Sequence, residues 1–144
     1  MIKTDRNRLH NRLSEADIRP SMQRLAILEY INSCYCHPTA DEVYSELVKE
    51  HPTLSRTTVF SSLKLLSEKG LVNNIDISSD STRYDAADRQ PHGHFMCKEC
   101  RRIFDITLDM SSLRLPDEYV CNNVNVFFKG ICPECNQNIS TTTK

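Results

Sequence analysis

Four cysteines form two Cys-x-x-Cys pairs, a spacing typical of a metal site. Cys97 and Cys100 are the first pair, and Cys132 and Cys135 are the second. Two such pairs supply the four thiolates of a tetrahedral zinc site. The C-terminal half is short and cannot bury a large core, so a zinc ion that joins both pairs would stabilise its fold. We therefore predict a structural Zn²⁺ bound by all four cysteines.

A second group of metal ligands lies beside the first cysteine pair. His92 and His94 are two positions apart, so on a β-strand their side chains would project from the same face. Asp85 and Asp105 lie on either side of them in the sequence. Imidazole nitrogens combined with carboxylate oxygens suit Fe²⁺, Mn²⁺ or Zn²⁺. The sequence thus predicts a second metal site, whose metal could bind reversibly and act as a signal.

Composition and charge narrow the class of protein. The chain has 144 residues, of which 39% are hydrophobic and 26% are charged, and its net charge is −1. No apolar run approaches the roughly 20 residues of a membrane-spanning helix. The N-terminus lacks the apolar core of a signal peptide, so we expect a cytoplasmic protein with no membrane association. In that compartment, seven cysteines indicate metal binding or redox chemistry rather than a disulfide framework.

Helical patterns fill the first half of the chain. Helices are predicted at residues 6–16 and at residues 21–33. Residues 39–42 match a capping box at the start of a third helix. Ser55 can cap a fourth helix, which Gly70 would end. Apolar residues recur every three positions in the second helix and predict a buried stripe, formed by Met22, Leu25, Leu28 and Ile31.

The pattern changes from helices to strands after the fourth helix. Residues 71–77 and 82–85 are predicted as two strands, with a turn at residues 78–81 between them. Several helices followed by a two-stranded hairpin are typical of a winged helix-turn-helix domain. In that domain, the helix before the hairpin enters the major groove of DNA. This helix begins with small or basic residues that can form hydrogen bonds, namely Arg56, Thr57, Thr58 and Ser61.

Short strands surround the cysteine pairs in the second half of the chain. Three strands are predicted, at residues 92–96, 102–106 and 124–128. Residues 110–115 could form only a turn or two of helix, and residues 136–144 are polar and expected to be frayed. The fold class is therefore α+β, with a winged helix-turn-helix domain at residues 1–85 and a small α/β domain at residues 86–144.

The order of these motifs resembles the ferric uptake regulator (Fur) family of bacterial metal-responsive repressors. A helical half with Thr58-Val59 precedes a wing that ends in Arg83-Tyr84-Asp85. A His-x-His-x-x-Cys-x-x-Cys run and a Gly-x-Cys-x-x-Cys run follow. The resemblance implies a cytoplasmic homodimer whose second domain dimerises and whose first domain binds a double-stranded DNA operator. Two-fold symmetry of the dimer would match a palindromic operator.

The resemblance also implies that a distant histidine completes the second metal site. In this family a histidine in a His-Pro-Thr-like segment closes the site, and His37 stands in such a segment here. The implied regulatory metal is Fe²⁺ or Mn²⁺, with Zn²⁺ as an alternative. The implied ligands are His37, Asp85, His92, His94 and Asp105. Aspartate at position 105 resembles the peroxide-responsive branch, because iron-uptake regulators more often have glutamate there.

DNA contacts are implied by the same resemblance. The family places a Thr-Val-Tyr-Arg segment in the major groove, where this chain has Thr58-Val59-Phe60-Ser61. Phe60 retains an aromatic ring that can contact a thymine methyl group. Arg19 matches a basic position that reaches the minor groove. The predicted DNA contacts are Arg19, Arg56, Thr57, Thr58, Phe60 and Lys64.

Other interpretations of these residues lead to different functions. An iron-, haem- or zinc-uptake regulator would bind metal and DNA without sensing peroxide. A zinc-ribbon interaction module would bind one zinc ion and have no second metal site. A zinc deaminase requires a His-x-Glu motif, but the residue two positions after His92 is His94, so we do not expect an enzyme. The remaining Cys34, Cys36 and Cys121 are expected to be thiols, with a redox or haem-related role for the first two as the alternative.

Overall fold

The chain divides into two compact units, Met1–Arg89 and Gln90–Lys144. The computed structural model describes residues 5–34, 36–75, 82–87, 92–121 and 124–142. Within these residues the first unit contains four α-helices and a two-stranded sheet, and the second contains a three-stranded sheet and a C-terminal helix. No helix in this part of the chain is both long enough and apolar enough to span a membrane.

Four capped helices build the first unit. They are α1 (Arg6–Glu15), α2 (Met22–Ser33), α3 (Ala40–Leu47) and α4 (Arg56–Glu68). Each begins at a side chain that accepts a hydrogen bond from a backbone N–H of the first turn, namely Asp5, Ser21, Thr39 and Ser55. The Thr39 N–H also donates to Glu42 Oε2 at 2.8 Å, which completes the predicted capping box. Local hydrogen bonding therefore fixes where each helix begins.

Apolar side chains from all four helices form the core of the first unit. Fully buried members include Leu9, Leu13, Ile27, Leu28, Ile31, Val59, Leu63 and Leu66. Each such side chain contributes about 1.5–3 kcal/mol through burial. The predicted stripe on α2 is wrong at Met22, which is 66% exposed, and α2 buries Ala26 and Ile27 in addition to Leu28 and Ile31. The difference arises because α2 packs against α1, α3 and α4 on several sides, whereas Met22 lies at its first residue.

A hairpin follows α4. Gly70 has a φ of 75°, so it ends the helix in the left-handed conformation that glycine adopts most easily. Strand β1 (Val72–Ile75) then pairs antiparallel with β2 (Arg83–Ala86), and Asn73 lies opposite Asp85. The predicted turn at residues 78–81 lies outside the described residues. The helices and hairpin together form the predicted winged helix-turn-helix fold.

The second unit contains a mixed three-stranded sheet. Its central strand is β3 (His92–Cys97), which pairs antiparallel with β4 (Ile103–Thr107) and parallel with β5 (Phe127–Gly130). A short 3-10 helix, Met110–Ser112, follows β4. The strand predicted at residues 124–128 begins only at Phe127. The pairing of β3 with both neighbours carries the predicted metal ligands of this unit toward each other.

The C-terminal segment differs from its prediction. The sequence favours frayed chain at residues 136–144, but helix α5 (Pro133–Thr142) includes most of them. Pro133 suits the first position of a helix, because the N–H that proline lacks would have no helical partner there. The N–H of Asn136 donates to the Cys132 carbonyl oxygen at 2.9 Å and closes the first turn. The second cysteine pair therefore lies at the start of a helix.

Candidate metal centres and nucleic-acid interface

The sheet and α5 of the second unit bring four sulfur atoms together. The Sγ atoms of Cys97, Cys100, Cys132 and Cys135 all lie within 4.8 Å of one another. Cys97 ends β3, and the parallel register places it opposite Gly130, the last residue of β5. Because β5 leads directly into the second pair, this register carries Cys132 and Cys135 to the first pair. Four sulfurs at this separation can bind one tetrahedral ion.

Hydrogen bonds to sulfur shift the pKa values of Cys97, Cys100 and Cys135 in different directions. Burial raises the pKa of Cys97, but backbone N–H donors, including that of Cys132 at 3.3 Å, outweigh it and lower the pKa to about 6. Arg102 donates from Nε to Cys100 Sγ at 3.4 Å and lowers the pKa of Cys100. Hydrogen bonding with Cys132, followed by burial, raises the pKa of Cys135 to about 12. A bound cation would be needed to hold all four as thiolates, because it offsets their mutual repulsion.

Arg102 connects the two cysteine pairs. Its guanidinium contacts the Cys100 sulfur and also forms an ion pair with Glu134, which lies within the second pair. The same group lies 5.3 Å from the ring centroid of Phe104. Sequence reasoning missed this residue, because no spacing rule marks an arginine beside a cysteine pair as a partner of the other pair.

Two imidazoles and a carboxylate converge on strands β3 and β4. His92 Nε2 and His94 Nε2 are 3.1 Å apart. Asp105 Oδ1 lies 3.5 Å from His92 Nε2 and 3.6 Å from His94 Nε2. The antiparallel register places Asp105 directly opposite His94, which is 8% exposed. Two nitrogens and one oxygen therefore point to a common position that a divalent cation could occupy.

His37 and Asp85 lie together within the first unit. Both are buried, with exposures of 3% and 2%, and their ligand atoms are within 4.8 Å of each other. His37 has a φ of 50°, in the left-handed region that residues other than glycine occupy rarely. Arg83 Nη1 donates to the His37 carbonyl oxygen at 2.9 Å, and the Tyr84 N–H donates to the Pro38 carbonyl oxygen at 3.0 Å. Strand β2 thus fixes the backbone that carries His37 beside Asp85.

Helix α4 has one buried face and one exposed face. Val59 and Leu63 belong to the core, whereas Arg56, Thr57 and Lys64 are exposed. Phe60 is 44% exposed, and the Arg56 guanidinium lies 5.8 Å from its ring centroid. An open groove of about 820 Å³ lies along this face, lined by Arg56, Thr57, Phe60, Ser61, Lys64, Ser67, Glu68, Asn74 and Tyr84. The exposed face thus combines cations, hydroxyl groups and an aromatic ring.

Two of the predicted DNA contacts also have roles within the fold. The Thr58 hydroxyl lies 2.8 Å from Ser55 Oγ, so it takes part in the cap of α4. Arg19 lies between α1 and α2 and is exposed. The Arg19 carbonyl oxygen accepts a hydrogen bond from Arg24 Nη1 at 2.7 Å. The Arg19 backbone is therefore held in place.

Cys34 and Cys36 differ from the expected thiols, because the structure joins them in a disulfide. Their Cα atoms are 5.3 Å apart, within the usual range for a disulfide. Cys34 is the C-terminal cap of α2 and has an extended backbone, which turns the chain out of the helix. Cys121 remains a thiol and is exposed.

Comparisons with known proteins identify the family. The model of the Ferric uptake regulator family matches residues 15–127. The peroxide-responsive repressor PerR of Staphylococcus aureus (strain Mu50 / ATCC 700699) is 31% identical over 129 residues, which cover 85% of this chain and 86% of that protein. The structure of the Campylobacter jejuni peroxide stress regulator has a TM-score of 0.65 and 29% identity, covering 90% of this chain and 97% of that one. PerR from Streptococcus pyogenes has a TM-score of 0.53 and 31% identity, covering 90% and 92%. The chain therefore belongs to the ferric uptake regulator family.

Proposed function

We propose that this protein is a metal-dependent, DNA-binding transcriptional repressor that responds to peroxide, and that it is not an enzyme. The main support is two chemically different ligand sets within the second unit, one of sulfur atoms alone and one of two imidazoles with a carboxylate. Sulfur ligands suit a permanent structural zinc, whereas nitrogen and oxygen ligands suit an exchangeable iron or manganese ion. The 31% identity with the peroxide-responsive repressor PerR supports the peroxide signal.

The structural ion is proposed to be Zn²⁺, held by Cys97, Cys100, Cys132 and Cys135. Bound zinc would join the end of β3 to the start of α5 and would keep all four cysteines ionised. In this role it supplies folding free energy rather than chemistry. The hydrogen bonds from Arg102 and from the Cys132 N–H already favour thiolates at Cys100 and Cys97, which fits a cation at this position.

The regulatory metal is proposed to be Fe²⁺ or Mn²⁺, with Zn²⁺ as an alternative ion. Two ligands come from the first unit and three from the second, namely His37, Asp85, His92, His94 and Asp105. A ligand set drawn from both units would make metal binding depend on their arrangement. The metal could then change DNA affinity only by its different affinity for the arrangements that do and do not bind DNA. Aspartate at position 105, like the sequence identity, favours peroxide sensing over iron uptake.

DNA binding is proposed for residues 1–85 and dimerisation for residues 86–144. On α4, the proposed contacts are the exposed Arg56, Thr57, Phe60 and Lys64 and the half-buried Thr58, and Arg19 would contact DNA separately. In the second unit, exposed apolar residues fit burial against a second copy of the chain, among them Tyr119, Val120, Val124 and Phe128. A homodimer would present two copies of α4 to a palindromic double-stranded operator. Such a repressor would act in the cytoplasm.

DNA affinity measured with each metal, before and after peroxide, tests the proposed function. Fluorescence anisotropy of a labelled operator should show tight binding with Fe²⁺ or Mn²⁺ and weak binding after chelation. Bound Fe²⁺ would supply one-electron reduction of peroxide, and the oxidant formed would attack the nearest imidazoles. Peroxide should therefore abolish binding by the iron form and spare the manganese form.

Mass spectrometry of the same samples identifies the oxidised residues. An added oxygen on His37 or His92 in the iron form alone is the expected result, because an oxidised imidazole is a poor metal ligand. A peroxide-insensitive iron form that still binds DNA would instead indicate an iron-, haem- or zinc-uptake regulator. One tightly bound zinc ion with no metal-dependent DNA binding would indicate a zinc-ribbon interaction module.

A further inference from the structure

The disulfide between Cys34 and Cys36 adjoins a proposed regulatory ligand but belongs to neither metal site. Cys36 immediately precedes His37, and the N–H of Cys36 donates to Cys34 Sγ at 3.2 Å. His37 itself is buried and lies in a left-handed backbone conformation. The cross-link therefore ends one residue before a strained backbone position whose side chain is beside Asp85.

Small oxidants and reductants can reach this pair. Cys36 is exposed and lines an open cavity of about 410 Å³ in the first unit. The same cavity is lined by Pro38 and by Arg83, the residue that holds the His37 carbonyl oxygen. Arg83 Nη1 also lies 3.7 Å from Glu42 Oε2, which is hydrogen-bonded in the capping box of α3. The cavity therefore adjoins both the disulfide and the residues that fix the His37 segment.

The cross-link should lower the free-energy cost of the left-handed backbone conformation at His37. A residue other than glycine in the left-handed region is strained and persists only when its surroundings hold it there. A disulfide limits the backbone conformations on the N-terminal side of His37, and hydrogen bonds from β2 limit them on the C-terminal side. When the disulfide is reduced, the backbone on the N-terminal side of His37 has more conformational freedom. Metal binding must then order this backbone, at a cost in entropy. Preorganisation of a ligand strengthens binding by removing such a cost.

We infer that Cys34 and Cys36 form a reversible thiol–disulfide switch that hydroperoxides oxidise. The disulfide form restricts the His37 backbone to its metal-binding conformation and so tightens binding of the regulatory metal. This inference rests on the proposed function, because it assigns a regulation to the same metal site. It adds a second redox input, which acts on the affinity of the site rather than by oxidising its ligands. The exposed Cys121 lies in the other unit and has no part in it.

The proposed oxidation needs no reactant other than the two thiols and one hydroperoxide molecule. The sulfur of one cysteine attacks an oxygen atom of the hydroperoxide, and the O–O bond breaks. The products are a sulfenic acid and either water, from hydrogen peroxide, or an alcohol, from an organic hydroperoxide. The second sulfur then attacks the sulfenic sulfur, an S–S bond forms, the S–O bond breaks, and water leaves. In total, two thiols lose two hydrogen atoms and the peroxide is reduced. A dithiol reductant reverses the reaction by thiol–disulfide exchange.

The test uses the full-length, zinc-loaded protein without regulatory metal, so that iron chemistry is absent. Protein reduced with a dithiol is compared with protein treated briefly with hydrogen peroxide. Alkylation followed by peptide mass spectrometry reports the Cys34–Cys36 disulfide, and competition with a chromophoric chelator reports Mn²⁺ affinity. The matched variants are Cys34→Ser/Cys36→Ser, which removes the switch, and Cys121→Ser, which removes only an exposed thiol. Zinc retention is measured in each sample.

The expected result is a disulfide between Cys34 and Cys36, several-fold tighter Mn²⁺ binding after peroxide, and reversal by the reductant. The double variant should show no response, and Cys121→Ser should respond like the wild type. Cysteines that stay open to alkylation after peroxide, or a disulfide that leaves Mn²⁺ affinity unchanged or weaker, would overturn the inference alone. A reduced protein whose Mn²⁺ binding is unaffected by His37→Ala would overturn the proposed regulatory site, and the inference with it.

Discussion

Asp105 lies directly opposite His94 across the antiparallel pair formed by β4 and β3, with its Oδ1 3.6 Å from His94 Nε2. The register of two strands, rather than a loop, thus sets the separation of a carboxylate and an imidazole. Strands position side chains more rigidly than loops do. The proposed site in the second unit is therefore preorganised, and changes to its donor atoms should alter metal affinity without altering the fold.

Replacing the carboxylate at this position should weaken metal binding. Asp105→Asn keeps the size of the side chain but removes its charge, so we expect Mn²⁺ affinity to fall at least about tenfold, which corresponds to about 1.4 kcal/mol. Asp109→Asn is the matched control, because the Asp109 carboxylate accepts hydrogen bonds from Ser111 and lies outside both ligand sets. Titration calorimetry on zinc-loaded protein measures both. Equal Mn²⁺ affinity of Asp105→Asn and wild type would remove Asp105 from the ligand set.

Loss of one thiolate should destroy the second unit. Cys97→Ser removes a buried sulfur from the proposed zinc site, and the remaining ligands cannot complete a tetrahedral shell. We expect zinc to be lost, together with the fold of this unit and the dimer, because zinc binding supplies folding free energy. Zinc content, circular dichroism and sedimentation measure these changes, with Cys121→Ser as the control. A folded, dimeric Cys97→Ser protein without zinc would show that the ion is not structural.

Arg102 should determine how readily acid removes zinc. Its hydrogen bond lowers the pKa of Cys100, and backbone donors lower that of Cys97 from 9.0 to about 6. For a thiol whose folded pKa is lowered, the stabilisation is complete above its ordinary pKa and is lost as pH falls through the folded value. Zinc should therefore be released only as pH falls below about 6, because the bound ion competes with protons for the Cys97 sulfur and moves its protonation to lower pH.

The Arg102→Ala variant tests this argument directly. Without the guanidinium, the pKa of Cys100 should rise, and the midpoint of zinc release should move to higher pH. A chromophoric zinc chelator follows release along a pH titration. Arg114→Ala serves as the control, because Arg114 is exposed and its Nε donates to the Ser111 carbonyl oxygen at 3.5 Å rather than to a sulfur. An unchanged midpoint in Arg102→Ala would show that Arg102 does not affect the pH at which zinc is released.

Phe60 should contribute to the choice of DNA sequence. It is exposed on α4 between cationic and hydroxyl side chains, where its ring can touch thymine methyl groups. Phe60→Ala should reduce discrimination between operator and scrambled DNA by about 1–3 kcal/mol for each base that the ring touches. Phe60→Leu should keep part of this discrimination, because an apolar side chain remains. Anisotropy titrations at one salt concentration compare the variants, and equal discrimination by all three proteins would place base reading elsewhere.

Local signals in the sequence predict most of the fold. The caps at Thr39 and Ser55, and the glycine at the end of α4, depend on residues a few positions apart and are therefore visible in the sequence. The exposure of Met22 is not visible in this way, because it depends on which elements surround the start of α2. Helix α5 is also not evident from the sequence, because its residues are mostly polar and its start coincides with the second cysteine pair.

The candidate sites are predictable to different degrees. Paired cysteines and alternating histidines are short-range patterns, so the types of ligand are evident from the sequence alone. The ion pair of Arg102 with Glu134 joins residues that meet only because β3 pairs with β5. Likewise, the disulfide that joins Cys34 to the exposed cysteine two positions later depends on the extended cap of α2. Interactions that depend on strand order or on where a helix ends can be identified only when the fold is known.

The parallel pairing of β3 with β5 has a consequence for how quickly the second unit can fold. Cys97 meets Gly130 only after the intervening chain has closed into a loop, and closing a long loop costs entropy before any interaction compensates for it. Such non-local pairing slows folding. Zinc bound first to Cys97 and Cys100 could capture Cys132 and Cys135 and so hold the loop closed. The supply of zinc during synthesis would then set the rate at which new repressor molecules appear.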